Sequence, residues 1–361
     1  MLTIVHAADF HLDSPFRALP EDKAAQRRAE QRELLDRLAD LARDRGADLL
    51  LLAGDLFDGR TTFYETAQAL ARSLGSLDIP VFIAPGNHDF WSPASPYASI
   101  RWPDNVRIFT GGMERVELPG LGCAVYGGAF TAPVCERSLL AGFRPQEDPG
   151  LTRLMILHGD LTAGGRYNPI TPEQLAASGM DYVALGHVHA ASGVLRAGSV
   201  SYAYPGCPEG RGFDELGDKG VLAGRVDRGR AELDFVPLCK RRYQQLEVDL
   251  SRCGSPEEAL EAVLPRLDQR DICRLVFTGE WDGLDLAALA PRAEAACYHA
   301  VLRDRTSPRR DLWRRQEESN LTGLFLRELA RRLSQAGDHD RPMLERAVRF
   351  GMAALEGGEE P

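Results

Sequence analysis

At 361 residues, the chain is too long for a single small core and calls for two domains with a small appendage. Its 44% hydrophobic and 27% charged residues exclude disorder except at the ends. A formal net charge of −10 argues against a protein that grips nucleic acid by an overall basic surface.

The seven cysteines, at 123, 135, 207, 239, 253, 273 and 297, form no CxxC pair. They read as small, mostly buried side chains in a reducing compartment, not as a zinc knuckle. Met1 to His6 holds neither a basic n-region nor a long apolar h-region. The longest apolar run, Leu49 to Ala53, is far short of the roughly 20 residues a bilayer span needs. A cytoplasmic chain without a membrane segment is therefore expected.

The first expected element is a short strand, Leu2 to Val5, running into Asp9-Phe10-His11. A helix follows over 22–44, where Leu34, Leu35, Leu38, Leu41 and Ala42 recur at three- and four-residue spacing and mark one buried face. The continuous apolar run 48–53 reads as a strand buried on both sides and is bounded by Gly54. A helix at about 62–75 and a strand over 80–84 lead to Gly86-Asn87-His88-Asp89. Strands at 154–157 and 182–185 then end at His158 and at Gly186-His187-Val188-His189. Each buried strand delivers polar residues just past its C-terminal end, where α/β sheets place their active sites.

A hairpin is expected over 220–237, with strands at 221–226 and 231–236. Residues 243–300 read as strand (245–248), helix (256–267), strand (273–278) and helix (284–296), a small α+β unit without a chemical motif. From Ser307 the chain is expected to be helical through Arg332, and again over 341–355 before a frayed Gly/Glu tail.

Five clusters carry chemistry: Asp9-Phe10-His11, Gly54-Asp55-Leu56-Phe57-Asp58, Gly86-Asn87-His88-Asp89, His158-Gly159 and Gly186-His187-Val188-His189. Singly, each is a common loop or turn sequence. In order, each at a strand end, they supply seven candidate ligands for two divalent ions: Asp9, His11, Asp55, Asn87, His158, His187 and His189. Two ions about 3.5–4 Å apart need a shared carboxylate with donors from both sides. Imidazole and carboxylate donors without thiolate suit manganese first, with iron, cobalt or zinc as alternatives.

The order Asp-x-His, Gly-Asp-x-x-Asp, Gly-Asn-His-Asp, His-Gly, Gly-His-x-His resembles the calcineurin-like metallophosphoesterase superfamily over about residues 1–237. The resemblance implies a four-layer α/β fold, two β-sheets sandwiched between helices. It assigns Asp9, His11, Asp55 and His189 to one metal and Asp55, Asn87, His158 and His187 to the other, with Asp55 bridging. Finer features are similar to the SbcD-type DNA repair nucleases, and within them to a bacterial YhaO-like branch. These are the opening His6 to Phe16, Tyr204-Pro205-Gly206-Cys207 followed by Phe213-Asp214-Glu215, and Leu344-Glu345 with Ala347 and Gly351-Met352. The first motif departs from better-known SbcD proteins by reading Ala8-Asp9-Phe10-His11-Leu12-Asp13, where those carry Ser-Asp-x-His-Leu-Gly.

His88 follows a ligand without being needed as one, so it is expected to protonate or stabilise the leaving oxygen. Asp58 matches the family position that holds this histidine's tautomer; the competing reading is a helix N-cap or loop carboxylate. Asp89 reads as structural, and His6 as a hydrogen-bonded core residue. His299 and His339 are expected to face solvent. Phe90-Trp91 either stack on a base or pack in the core. Arg303, Arg305, Arg309, Arg310, Arg314 and Arg315 surround Trp313. They form a phosphate-tracking surface, a docking arm for an acidic partner, or a solvated helix face.

The expected domains are a nuclease domain over 1–238, a small α+β cap over 239–305 and a helical docking segment over 306–361. The resemblance implies an exonuclease with single-strand endonuclease activity, working on DNA with an SbcC-like coiled-coil ATPase. The apolar stripe Leu321, Leu324, Phe325, Leu329 and Leu333 gives the last segment something to bury. A homodimer is a further expectation. The alternative is a stand-alone phosphoesterase for small phosphodiesters or phosphomonoesters.

Overall fold

The computed structural model describes residues 1–59, 62–147, 149–162, 164–251, 253–281, 283–307, 313–337 and 340–355. The expectations for His339, Arg309 and Arg310 therefore lie outside the described residues. The chain divides into two compact units. One comprises Met1–Leu246, Pro265–Arg274 and Arg292–Val301; the other comprises Glu247–Leu264, Leu275–Pro291 and Leu302–Pro361.

The first unit opens with β1 (Leu2–Ala7), α1 (Glu21–Asp44), β2 (Leu49–Leu52), α2 (Tyr64–Gly75), β3 (Val81–Ile83), the single turn α3 (Pro96–Ser99) and β4 (Val106–Ile108). It continues through β5 (Glu114–Leu118), β6 (Cys123–Gly127), β7 (Thr152–His158), α4 (Pro172–Ala177), β8 (Tyr182–Gly186), β9 (Leu195–Ala197) and β10 (Val200–Ala203). The hairpin β11 (Gly220–Asp227) and β12 (Arg230–Pro237) follows, and returns to the first sheet by pairing β11 antiparallel to β1. Two six-stranded sheets result, ordered β12-β11-β1-β2-β3-β4 and β5-β6-β7-β8-β10-β9.

The two-residue repeat of a strand divides the apolar residues among three cores. Leu50 and Leu52 pack with Leu34, Leu38, Leu70 and Leu74 of α1 and α2. Leu49 and Leu51 pack instead with Val125, Leu154, Ile156 and Tyr182 of the second sheet. The opposite face of that sheet, through Met155, Leu157, Val183 and Leu185, covers Leu175 of α4. This is the expected four-layer arrangement of helix, sheet, sheet and helix.

β13 (Tyr243–Asp249), α5 (Pro256–Val263), β14 (Ile272–Thr278), α6 (Leu286–Ala296) and β15 (His299–Asp304) supply a three-stranded sheet ordered β13-β14-β15. In the second unit, α7 (Leu321–Gln335) packs on α8 (Arg341–Leu355) through Leu326, Leu329, Val348 and Met352. A Cβ on Gly351 would lie 2.0 Å from Phe325 Cζ, so the absent side chain sets how closely the two helices approach.

The continuous helix expected from Ser307 is not found: a 3₁₀ turn occupies Arg314–Glu317, and α7 begins only at Leu321. Asn320 makes the break, its side chain accepting the Gly323 N–H at 2.9 Å as an N-cap. Of the expected stripe, Leu329 is spent inside the helix pair, whereas Leu321 and Leu324 remain exposed, as do Met343 and Phe350 of α8. Arg303, Arg305 and Arg314 are exposed, and Arg315 is engaged with Glu318 at 2.7 Å. His299 is half-buried, not solvent-facing. All seven cysteines are free. Among the described residues no helix is long and apolar enough to cross a membrane.

Candidate metal centre

Five loops at the C-terminal ends of β1, β2, β3, β7 and β8 converge in the first unit, and all seven expected ligands sit on them. The parallel ladder between β1 and β2 continues into the loops: the Asp9 N–H donates to Gly54 O and the His11 N–H to Asp55 O, each at 3.0 Å. To turn side chains inward at this point the backbone enters a sparsely populated region. Asp9 (φ 56°), His11 (φ 44°), Asp55 (φ 51°) and His187 (φ 106°) all have positive φ. Each such residue costs of order 1–3 kcal/mol, which surrounding contacts must offset. The loops also touch closely: a Cβ on Gly186 would lie 1.8 Å from Ala53 O, so only glycine fits there.

Asp89 supplies much of the compensation, as its structural reading anticipates. Its carboxylate accepts the N–H groups of Leu56 and Gly86 at 2.7 Å, of Asp55 at 3.2 Å and of Phe57 at 3.3 Å, and the Tyr97 hydroxyl at 2.5 Å. His6 is a core residue bonded to the Tyr182 hydroxyl at 2.9 Å. Gln31 of α1 donates to the carbonyls of Phe10 and His11 at 3.2 Å, tying the first ligand loop to the helix.

Among the candidate ligands, three imidazoles have their tautomer fixed from behind. His11 Nδ1 faces Asp58 Oδ1 at 3.1 Å, His189 Nδ1 faces Glu215 Oε1 at 2.7 Å, and His158 Nδ1 faces Ala53 O at 2.9 Å. Carboxylate and carbonyl oxygens only accept, so each Nδ1 carries a hydrogen, and each Nε2 presents a lone pair whenever its ring is neutral. These lone pairs point at one another and at more acceptors. His11 Nε2 is 3.3 Å from His189 Nε2 and 3.7 Å from Asp55 Oδ2. His158 Nε2 lies 3.1 Å from Asn87 Oδ1 and 3.4 Å from Asp55 Oδ2, while His189 Nε2 is 3.8 Å from Asp9 Oδ1. With the rings neutral, this buried set holds acceptors without intervening donors, which a cation relieves, so the residues fit divalent ions. Asp55 faces both halves of the set, as a bridging carboxylate must.

His187 stands next to this set, its ring centroid 5.2 Å from that of His158 and 5.1 Å from that of Tyr167. Among the described residues, the tightest His and carboxylate groups are Asp9 with His11 and His189, Asp9 with Asp55 and His158, and His11 with Asp58 and His88.

Metal-free electrostatics show the same crowding. Burial pushes the Asp9 carboxyl up to about 7, with Asp55 adding to it and His158 opposing. Burial disfavours the His158 imidazolium, yet Asp55 and Asp9 outweigh it and push His158 up to about 9. Burial lowers His11 and His187 to about 4. For Asp55, burial is overcome by His158 and His11, which hold it well below the usual carboxylate range.

His88 is half-exposed, its ring centroid 4.8 Å from that of His11 and its backbone N–H on Asp55 Oδ1 at 2.8 Å. The carboxylate expected to hold it behaves differently. Asp58 Oδ1 is 4.0 Å from His88 Nδ1, beyond hydrogen-bond length, and bonds His11 instead. His88 also lines a cavity of about 390 Å³ together with Gly59, Phe90, Ser92, Ala94 and Pro96. Trp91 packs against the core, the second of the two readings given for the Phe90-Trp91 pair.

Glu215 and Arg211 received no role from the sequence. Glu215 lies 26 positions beyond the histidine it holds, so no local spacing marks it. Its only signal was membership of the Phe213-Asp214-Glu215 motif.

The calcineurin-like phosphoesterase family model matches residues 2–191. The chain is 32% identical over 306 residues to the uncharacterized metallophosphoesterase YhaO of Bacillus subtilis, covering 78% of this chain and 73% of that protein. It is 27% identical over 286 residues to the DNA double-strand break repair protein Mre11 of Aeropyrum pernix, covering 74% and 68%. It is 25% identical over 262 residues to a subunit of the nuclease SbcCD of Bacillus subtilis, covering 60% and 64%.

Proposed function

Because the chain belongs to the calcineurin-like phosphoesterase family, we propose that it is a phosphodiesterase acting on DNA, an exonuclease with single-strand endonuclease activity. The family hydrolyses phosphoesters with two divalent metal ions. The observation that carries the reading is the convergence of buried imidazole lone pairs and carboxylates beside a half-exposed histidine. Similarity to a DNA double-strand break repair protein and to a nuclease component supports DNA as the substrate.

In this reading Asp9, His11, Asp55 and His189 hold one ion, and Asp55, Asn87, His158 and His187 hold the other, with manganese the expected metal. Bound ions would polarise the phosphoryl group and lower the pKa of a water nucleophile. The chain's own residues do the rest. Asp58 and Glu215 keep the Nε2 atoms of His11 and His189 unprotonated. His88 holds a proton for the leaving oxygen, and the cavity it lines leaves room for a nucleotide on that side. The arrangement of a nuclease domain over 1–238, a cap over 239–305 and a helical segment over 306–361 is part of the proposal. So are a cytoplasmic location, a coiled-coil ATPase partner meeting the exposed Leu321 and Leu324, and a homodimer. A second reading, a stand-alone enzyme for small phosphoesters, is favoured by the net charge of −10.

The test is manganese-dependent release of nucleotides from end-labelled linear duplex DNA, with bis(p-nitrophenyl) phosphate as companion substrate. Wild-type protein should degrade DNA, and His88→Ala should lose about 10²–10⁴-fold on DNA. The same variant should keep most activity on the small diester, whose leaving group departs without a proton. Turnover of the small diester with DNA left intact, even after the ATPase partner is added, would favour the second reading.

A further inference from the structure

We infer that Arg211 is a positioning residue that retains one ion of the metal pair selectively, by locking together the two carboxylates that stand behind that ion's imidazoles. The inference rests on the two-ion reading proposed above.

Asp58 braces His11 and Glu215 braces His189, and the two carboxylates come from loops far apart in sequence. Arg211 joins them. Its Nη1 lies 3.4 Å from Asp58 Oδ1, its Nη2 donates to Glu215 Oε1 at 2.8 Å and stands 3.1 Å from His189 Nδ1, and its backbone N–H donates to Glu215 Oε2 at 2.7 Å. With the 3.3 Å approach of His11 Nε2 to His189 Nε2, the side chains of His11, Asp58, Arg211, Glu215 and His189 form a closed ring that includes both imidazoles assigned to one ion. The rigid fork of a guanidinium reaches two carboxylates at once, which a lysine ammonium on a flexible stem does less well.

The segment bearing Arg211 is itself anchored. Glu209, fully buried, accepts from Arg27 Nη2 at 2.7 Å and from the Lys240 N–H at 3.0 Å, and Arg27 also donates to Gly210 O at 3.1 Å. The clamp therefore starts from fixed backbone. Arg211 also lies against the Asp58 oxygen that bonds His11 at 3.1 Å and stands 4.0 Å from His88, so it holds that carboxylate on the ligand side. Behind the other ion position the support is of another kind: His158 Nδ1 is held by the main-chain carbonyl of Ala53 at 2.9 Å. No substitution at Arg211 removes that bond, so its loss should act on one ion and spare the other.

The experiment is calorimetric titration of the chelator-stripped, full-length chain with Mn²⁺, read alongside the electron paramagnetic resonance spectrum of the exchange-coupled manganese pair. Wild type should take up two ions. Arg211→Ala should hold one with unchanged affinity and the other about 10–100-fold more weakly, with the coupled signal giving way to that of isolated Mn²⁺. Arg211→Lys should fall between, and Glu215→Gln should reproduce the one-site loss. Equal weakening of both ions, or of neither, in a variant whose circular dichroism melt shows it folded would overturn the inference. If Arg211→Ala does not fold, Arg211→Lys decides by the same criteria. Wild type that takes up a single ion would refute the two-ion reading. With a single ion there is no pair to discriminate, so the selectivity inferred for Arg211 would fall with that reading.

Discussion

His158 is a buried imidazole whose affinity for a proton, raised to about 9 by Asp55 and Asp9 against the pull of burial, exceeds that of a free histidine. A group with a raised folded pKa stabilises the folded state below its unfolded value near 6.5, and that contribution is lost as pH climbs through the folded value. Metal-free protein should therefore lose stability between pH 7 and 9, by about 2 kcal/mol if His158 acts alone. With metal bound, the proton has already been displaced, and the loss should disappear. Thermal melts of chelated and reconstituted protein across that window check this; a chelated protein whose melting temperature stays level or rises would refute it. The candidate ligands were legible in sequence because their short motifs recur in order at successive strand ends. Their supports were legible only in part. Asp58 was legible as a site residue, but its bond to His11 depends on a side-chain direction that spacing does not encode.

At the scale of elements, α1 does two jobs that its sequence shows unequally. The stripe that marked its buried face holds for Leu34, Leu35, Leu38 and Ala42, all buried, while Leu41 is only partly covered. The same helix also buries Arg27, Glu30 and Gln31, which a hydrophobic pattern assigns to solvent. Their cost is met by pairing: Arg27 Nη1 with Glu30 at 2.8 Å, Arg27 Nη2 with Glu209 at 2.7 Å, and Arg241 Nη2 with Glu30 at 2.7 Å. Removing one member of such a set leaves buried charge behind, at about 3–5 kcal/mol. Glu209 keeps Arg37 at 3.5 Å and two backbone donors, so Arg27→Ala belongs near the lower figure. Urea unfolding of Arg27→Ala, Glu209→Gln and the double variant should give a coupling energy of at least about 1 kcal/mol; simple additivity would refute the pairing. Strands β5 and β6 escaped the sequence reading for a related reason. Glu114–Leu118 is a partly exposed edge rich in charge, and Cys123–Gly127 is short, with only Val125 and Tyr126 of strong strand propensity.

The whole chain carries its −10 charge into any encounter with a polyanion. If DNA is the substrate, the ions and a partner must supply much of the attraction, and the isolated chain should neutralise few phosphates. The slope of log K against log salt for binding of the lone chain to duplex DNA should be shallow, about −3 or less in magnitude. A slope nearer −6 would mean that a basic surface, with Arg303, Arg305 and Arg314 the first candidates, tracks the backbone without help.

The strand ends that carry the candidate ligands belong to both sheets: Asp9, His11, Asp55 and Asn87 follow strands of one, while His158, His187 and His189 end or follow strands of the other. The full donor set therefore does not exist until the two sheets have closed on each other, which is a late, long-range event. An ion cannot template such a fold; it can only lock a chain that has already found it. Refolding from urea should run at the same rate with and without manganese, and unfolding should slow as metal is added. The pair of ions would then act as a latch on the folded state, keeping it closed without having guided the chain there.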